Sequence, residues 1–206
     1  MRKKKYQTLI HVSSSEIYGT AQYTPIDEQH PTVPTTPYAA SKLACDHIIL
    51  SYYRTFGLDV SIVRPFNTYG ERQNEGTYAA VIPLTIKRIL SGNPPIIQGD
   101  GLQTRDFSYV DDVAVAIPQV YTHSNTRGRV VNLASGTETA IKILIHLIMD
   151  LTHYQGEIEY TPTRLCDVRR HCGDASLAHE LFGYTPKTDY SSGLKKTIEW
   201  YRSKYP

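Results

Sequence analysis

Apolar positions recur along the chain in two rhythms, short unbroken runs and helix-spaced repeats, and their alternation predicts an α/β protein. Residues 8–12 form an apolar run that ends in serines, and residues 60–63 form another; both read as strands. Between them, Pro25, Pro31, Pro34 and Pro37 make residues 24–37 a loop. Proline disfavours helix in the residue before it, so Pro37 predicts a helix whose first turn holds Tyr38. Beyond Gly70 the pattern predicts a helix over 78–90 stopped by Gly92, short strands at 96–97 and 105–109, and a helix over 110–121 that tolerates Pro118 near its end. A strand over 130–133 precedes a helix over 139–151, in which Ile141, Leu144, Ile145 and Ile148 recur on one face. A short segment at 158–160, a short helix after Asp174 and an amphipathic helix over 191–205 complete the chain. No internal repeat or low-complexity tract interrupts it.

Composition narrows the class of protein. At 206 residues the chain is long enough to bury a core, as one domain or a domain and a half. A net charge of +2 supplies no field for a polyanion, and Arg2-Lys3-Lys4-Lys5 reads as a solvated terminus, so no nucleic-acid partner is expected. The apolar stretch 141–151 is broken by Lys142, His146 and Asp150 and is too short for a bilayer, and no secretory signal precedes it; a cytoplasmic protein without a membrane partner is expected. Cys45, Cys166 and Cys172 are odd in number and unlike zinc or redox pairs in spacing, and the eight histidines form no ligand cluster, so reduced thiols and no metal are expected. His11 and His171 read as packing or solvent residues.

The candidate chemistry lies at Tyr38-Ala39-Ala40-Ser41-Lys42, preceded by the hydroxyl-rich turn Ser13-Ser14-Ser15-Glu16. One helical turn brings Lys42 to the face of Tyr38, about 6 Å away. A free phenol keeps its proton well above neutral pH, and a neighbouring cation favours the phenolate, which makes the pair a usable base. Ser14 is placed to share the proton with a substrate hydroxyl. With 16 tyrosines in the chain the spacing also arises by chance, and the plain alternative is a solvated helix face. Context favours chemistry: strand, hydroxyl turn, Tyr/Lys helix and second strand are the parts of one half of a nucleotide-binding sheet.

From residue 9 to the end, the chain resembles the carboxy-terminal part of an extended short-chain dehydrogenase/reductase of the NAD-dependent nucleotide-sugar epimerase, dehydratase and decarboxylase group. Ser13 to Gly19 is similar to the family's active-site turn, Tyr38 with Lys42 to its catalytic pair, and Arg64-Pro65-Phe66-Asn67 to the strand end that meets nicotinamide and sugar diphosphate. Gly99 to Phe107, with Tyr109-Val110-Asp111-Asp112, resembles the substrate-domain signature whose arginine, here Arg105, grips the diphosphate. Arg164 and Asp167, with Asp174 downstream, resemble the late segment that closes over the nucleotide. Family members begin with a strand and a Gly-x-x-Gly-x-x-Gly turn, and none of the 13 glycines here stands in that spacing, so the resemblance implies that this chain alone holds NAD weakly.

The resemblance implies a partial Rossmann-like, doubly wound parallel sheet (residues 1–66 with 110–133) and a smaller α/β substrate-binding lobe (67–109 with 134–206). It implies Ser14, Glu16, Tyr38 and Lys42 as catalytic, Ser13, Tyr38, Lys42 and Pro65 as NAD contacts, and Ser14, Asn67, Arg105 and Arg164 as contacts to a nucleotide-diphosphate sugar. Tyr38 would take the C4 hydroxyl proton as hydride leaves for the nicotinamide, giving a 4-keto sugar. Epimerase, 4,6-dehydratase and decarboxylase then stay open: Glu16 resembles the dehydratase and decarboxylase glutamate, whereas Ser15 stands where one dehydratase branch has aspartate. A homodimer through the Tyr38 helix is also implied. Two plainer readings remain, a cofactor-deficient remnant kept as a binding or dimerising module, and surface pairing of Arg105 with Asp106 and of Arg164 with Asp167.

Overall fold

The computed structural model describes residues 6–76, 80–165 and 167–205. Its organising element is β2 (Val60–Pro65), buried along its length except at Pro65, as a strand covered on both faces must be. β1 (Leu9–Val12) lies parallel on one side, Leu9 opposite Val60 and Val12 opposite Val63, and β6 (Val130–Leu133) lies parallel on the other, with Val63 opposite Val131. The order β1-β2-β6 makes β1 an edge strand, with Leu9 and Val12 exposed.

Two helices connect these strands. α1 (Pro37–Phe56) starts where proline predicts: Pro37 fills a position whose N–H would lack a partner, and the Thr36 hydroxyl accepts from Ala39 N at 3.1 Å. It ends at Gly57, whose φ of 60° closes the last turn. Of its 20 residues only Ala39 and Asp46 are buried. α3 (Val110–Thr122) turns Val113, Ala116 and Val120 onto the sheet, against Val63, Val131 and Leu133.

A second core gathers the residues after Phe66 other than those of α3, β6 and the segment 175–184. β5 (Thr104–Tyr109) pairs parallel with β3 (Asn67–Tyr69) and antiparallel with β7 (Glu138–Ala140), while β4 (Ile96–Gln98) pairs parallel with β8 (Glu159–Thr161). α2 (Val81–Leu90), α4 (Ile141–Thr152) and α6 (Tyr190–Lys204) close around Ile82, Ile86, Leu144, Ile145, Ile148, Leu194 and Ile198. The short α5 (Ser176–Phe182) packs Ala178 and Leu181 beneath the parallel sheet.

Three expectations change. The helix predicted from residue 139 begins at Ile141, because Thr139 pairs with Arg105 in the β5–β7 ladder. The helix predicted from residue 78 begins at Val81, and Tyr78 lies outside the described residues. β3, three residues long, was not foreseen: so short a run carries no periodicity. Among the described residues no helix is long and apolar enough to cross a membrane.

Candidate active site

The hydroxyl-rich turn leaves β1 as a short 3-10 turn, Ser15–Tyr18. Ser14 caps it, its Oγ accepting from Glu16 N at 3.2 Å. Gly19 ends it at φ 67°, where a Cβ would lie 2.3 Å from the Val33 carbonyl oxygen, so only glycine lets the two backbones meet. This geometry presents Glu16 to a cleft of about 570 Å³ that Asn67, Arg105 and Arg164 also line, with Thr36 and Asp167. Such a volume falls in the usual range for a small-molecule site.

Arg105 is one of the arginines that line the cleft. Its Nη2 donates to Asp167 Oδ1 at 2.7 Å, and its Nη1 donates to the carbonyls of Thr104 at 2.7 Å and Val168 at 2.6 Å. The plainer pairing with Asp106 is therefore corrected. Asp106 turns inward and accepts from Ser135 N, Ser135 Oγ, Gly136 N and Gly173 N, tying three segments together. Burial pushes its carboxyl upward against those hydrogen bonds. The partner expected for Arg164, Asp167, is engaged by Arg105, while Arg164 is exposed at the cleft.

Burial also raises the Glu16 carboxyl above its ordinary value; the Arg105 charge opposes the shift and Asp167 adds to it. A carboxyl that keeps its proton closer to neutrality is suited to exchange it with a ligand. Asn67 donates from Nδ2 to Asp106 O at 3.1 Å and lies 3.4 Å from His171 Nδ1. His171 is 1% exposed, and its Nε2 lies 3.2 Å from Ser15 O.

Tyr38, 54% exposed, does not line this cleft; it sits two residues after Thr36, which does. Lys42 Nζ donates to Val12 O at 3.0 Å and lies 5.8 Å from the Tyr38 ring centre, so the helix brings amine and phenol together at the end of β1. Ser14 and Pro65 are likewise absent from the cleft wall. Ser13 Oγ is buried beside this end of the strand without a hydrogen-bond partner, an open polar atom of the kind a cofactor amide or ribose would satisfy. Ser13, Tyr38 and Lys42 thus gather at the end of β1.

Beneath both groups lies a buried ionic lock. Arg64 on β2 donates from Nε at 3.1 Å and Nη2 at 3.0 Å to Asp46 Oδ2 on α1, and from Nη1 to Tyr18 OH at 2.8 Å. Tyr18 OH in turn donates to Asn132 Oδ1 at 2.8 Å. Burial pushes the Tyr18 phenol up to about 12, so it stays a donor. Sequence reasoning missed this lock, the Asp106 anchor, the Arg105–Asp167 pair, Thr36 and the bridging role of His171. Only Asp46 carried a signal, as a charge otherwise unexplained on the Tyr38 helix.

Comparisons with known proteins identify relatives of this chain. The family model described as GDP-mannose 4,6 dehydratase matches residues 1–197. A putative UDP-glucose 4-epimerase of Methanocaldococcus jannaschii is 37% identical over 98% of this chain and 66% of its own length. The dTDP-glucose 4,6-dehydratase of Streptomyces antibioticus is 34% identical over 94% of this chain and 57% of its own. The structure of UDP-glucose 4-epimerase from Thermotoga maritima with UDP-glucose superposes with a TM-score of 0.94 at 31% identity, covering 99% of this chain and 66% of that one. A dTDP-glucose 4,6-dehydratase from Streptomyces venezuelae, solved with NAD, superposes with a TM-score of 0.89 at 29% identity over 95% of this chain and 60% of that one. The chain thus spans less than two thirds of the length of these relatives. It belongs to the extended short-chain dehydrogenase/reductase family of nucleotide-sugar epimerases and dehydratases.

Proposed function

We propose that this chain carries the sugar-nucleotide cleft and catalytic pair of an NAD-dependent enzyme that modifies a UDP-sugar through a 4-keto intermediate, as a 4-epimerase or 4,6-dehydratase. One observation carries the reading: Glu16, Asn67, Arg105 and Arg164, far apart in sequence, converge on one cleft whose rim residue Thr36 caps the Tyr38–Lys42 helix. Residues 67–109 with 134–206 form the lobe that grips the nucleotide sugar in this reading. NAD, when bound, would supply the hydride chemistry at the sugar, with Ser13, Tyr38, Lys42 and Pro65 as its contacts in this reading.

This chain's own residues handle protons and position. Tyr38, as phenolate, takes the proton from the C4 hydroxyl and becomes the neutral phenol, with Lys42 supplying positive charge beside the ring and Ser14 fixing the hydroxyl's direction. Arg164, exposed at the cleft, presents its guanidinium fork to the diphosphate, a geometry that suits paired anionic oxygens. Arg105, held by Asp167 and two backbone carbonyls, adds positive charge and its remaining N–H groups. Glu16, whose carboxyl burial raises above its ordinary value, exchanges a proton with the sugar beyond C4, which is what elimination of the C6 hydroxyl requires. The relatives are enzymes by name and lend no support to a cofactor-deficient binding module. α1 leaves Ile48, Tyr52 and Tyr53 exposed, and a second copy of the chain is the partner proposed for that face, in a cytoplasmic homodimer.

Incubation with NAD and a panel of UDP- and dTDP-sugars, read by epimer analysis and by absorbance of a 4-keto product, tests the reading. Turnover that disappears in Tyr38→Phe is expected. Undiminished turnover in that variant, or no binding of any nucleotide sugar by calorimetry, overturns it.

A further inference from the structure

We propose that His171 is a positioning residue: it fixes the hydrogen-bond polarity of Asn67 so that the amide shows the cleft an acceptor and selects a hydroxyl donor on the sugar. The inference rests on the nucleotide-sugar reading above and adds a determinant of which sugars fit.

The hydrogen bonds around the ring admit one assignment. Asn67 Nδ2 lies 3.1 Å from the carbonyl oxygen of Asp106, which only accepts, so the nitrogen end of the amide is identified by its partner. The same nitrogen, 3.4 Å from His171 Nδ1, can only donate, so Nδ1 is an unprotonated acceptor. The ring proton then sits on Nε2, 3.2 Å from the Ser15 carbonyl, again a group that only accepts. Each of the three contacts excludes the opposite tautomer or the flipped amide.

The surroundings hold the ring in this state. His171 is buried, its ring centre 4.8 Å from that of Phe66. Burial brings its pKa down to about 4; the Ser15 carbonyl opposes that shift, while the facing Arg105 and His30 add to it. The ring is therefore neutral at working pH. With both amide hydrogens directed at Asp106 and His171, Asn67 offers its Oδ1 to the cleft it lines. The same ring holds the carbonyl of Ser15, the residue before Glu16, so one side chain sets the acceptor and steadies the turn that carries the carboxyl.

The experiment has an arm without ligand and an arm with it. Nitrogen-15 correlation spectra of the 206-residue chain at pH 7 should show His171 as the neutral Nε2–H tautomer; an Nδ1–H tautomer or an imidazolium overturns the inference. Calorimetry then compares UDP-glucose with its 4-deoxy-4-fluoro and 6-deoxy-6-fluoro analogues, since fluorine cannot donate. The wild type should bind at least one fluoro analogue about tenfold more weakly, the worth of one hydrogen bond. In His171→Phe, which keeps an aromatic ring against Phe66 without nitrogen, that ratio should fall about threefold or more as the amide loses one of its two restraints. In His171→Asn, whose side-chain oxygen replaces Nδ1 as acceptor, the ratio should return toward the wild-type value even if overall affinity drops. An unchanged ratio in His171→Phe, or equal losses in both variants, overturns the inference alone. No binding of any nucleotide sugar overturns the proposed function and this inference with it.

Discussion

Replacing Arg64 with methionine tests how the Tyr38 helix is held. α1 buries only Ala39 and Asp46 among its 20 residues, so apolar packing alone fastens it weakly and the Asp46–Arg64 pair becomes its main anchor to β2. The Asp46 and Arg64 side chains are 1% and 6% exposed, and two guanidinium nitrogens reach the same carboxylate oxygen. Methionine fills much of the arginine's volume but strands a buried carboxylate and removes the donor to Tyr18 OH. His11 Nε2 lies 3.6 Å from Asp46 Oδ1, yet burial lowers its pKa and leaves it a poor replacement cation at neutral pH. Breaking one side of a buried pair costs about 3–5 kcal/mol, against a total of about 5–15 kcal/mol for a folded domain. The double variant Asp46→Leu/Arg64→Met removes both charges and should cost much less than the two single changes summed, with a coupling of about 2 kcal/mol or more. Urea unfolding at pH 7 of the wild type, both single variants and the double variant completes the cycle. Additivity within about 0.5 kcal/mol would refute the reasoning, because it would mean the two groups do not depend on each other.

Other predictions follow from neighbouring groups. His171 titrates near 6.5 when unfolded and near 4 when folded, so between those values the unfolded chain alone binds the proton and acid favours unfolding; stability should fall by about 3 kcal/mol as pH drops through that window, and His171→Phe should flatten the fall measured by pH-dependent urea melts. Glu16 has the opposite sign: its raised carboxyl means the folded chain pays to ionise it, so Glu16→Gln should stabilise the protein at pH 7 in thermal melts while lowering turnover. Asp106→Asn leaves an amide facing donors from Ser135, Gly136 and Gly173 and should cost about 2–4 kcal/mol by urea unfolding. Gly19→Ala combines a positive φ with backbone contact and should destabilise by about 2 kcal/mol or more, weakening nucleotide-sugar binding through the displaced turn.

The scaffold was more legible in the sequence than the site. Runs such as residues 60–63 and 130–133 announce buried parallel strands, and Pro37 marks the start of α1, because local sterics decide these features. Motif resemblance brought Glu16, Asn67, Arg105 and Arg164 into view, and they do share a cleft. Their partners were not legible. Arg105 chooses Asp167 over its neighbour Asp106, since adjacent residues on a strand point to opposite faces and only the tertiary fold decides which carboxylate returns. His171 looked like packing and is packed, but its two nitrogens bridge Asn67 and Ser15, residues distant in the chain. Asp46 and Arg64 show the same limit: nothing in the sequence pairs them, and in the fold they are buried partners.

The most direct test is calorimetric titration of the 206-residue chain with UDP-glucose, wild type beside Arg105→Met. Arg105 is a cation that lines the cleft, so saturable binding in the wild type that weakens at least about tenfold in the variant is predicted, the loss of a charge-assisted contact to a diphosphate. Equal affinity in the two proteins, or no heat from either, would contradict the assignment of this cleft to a nucleotide sugar.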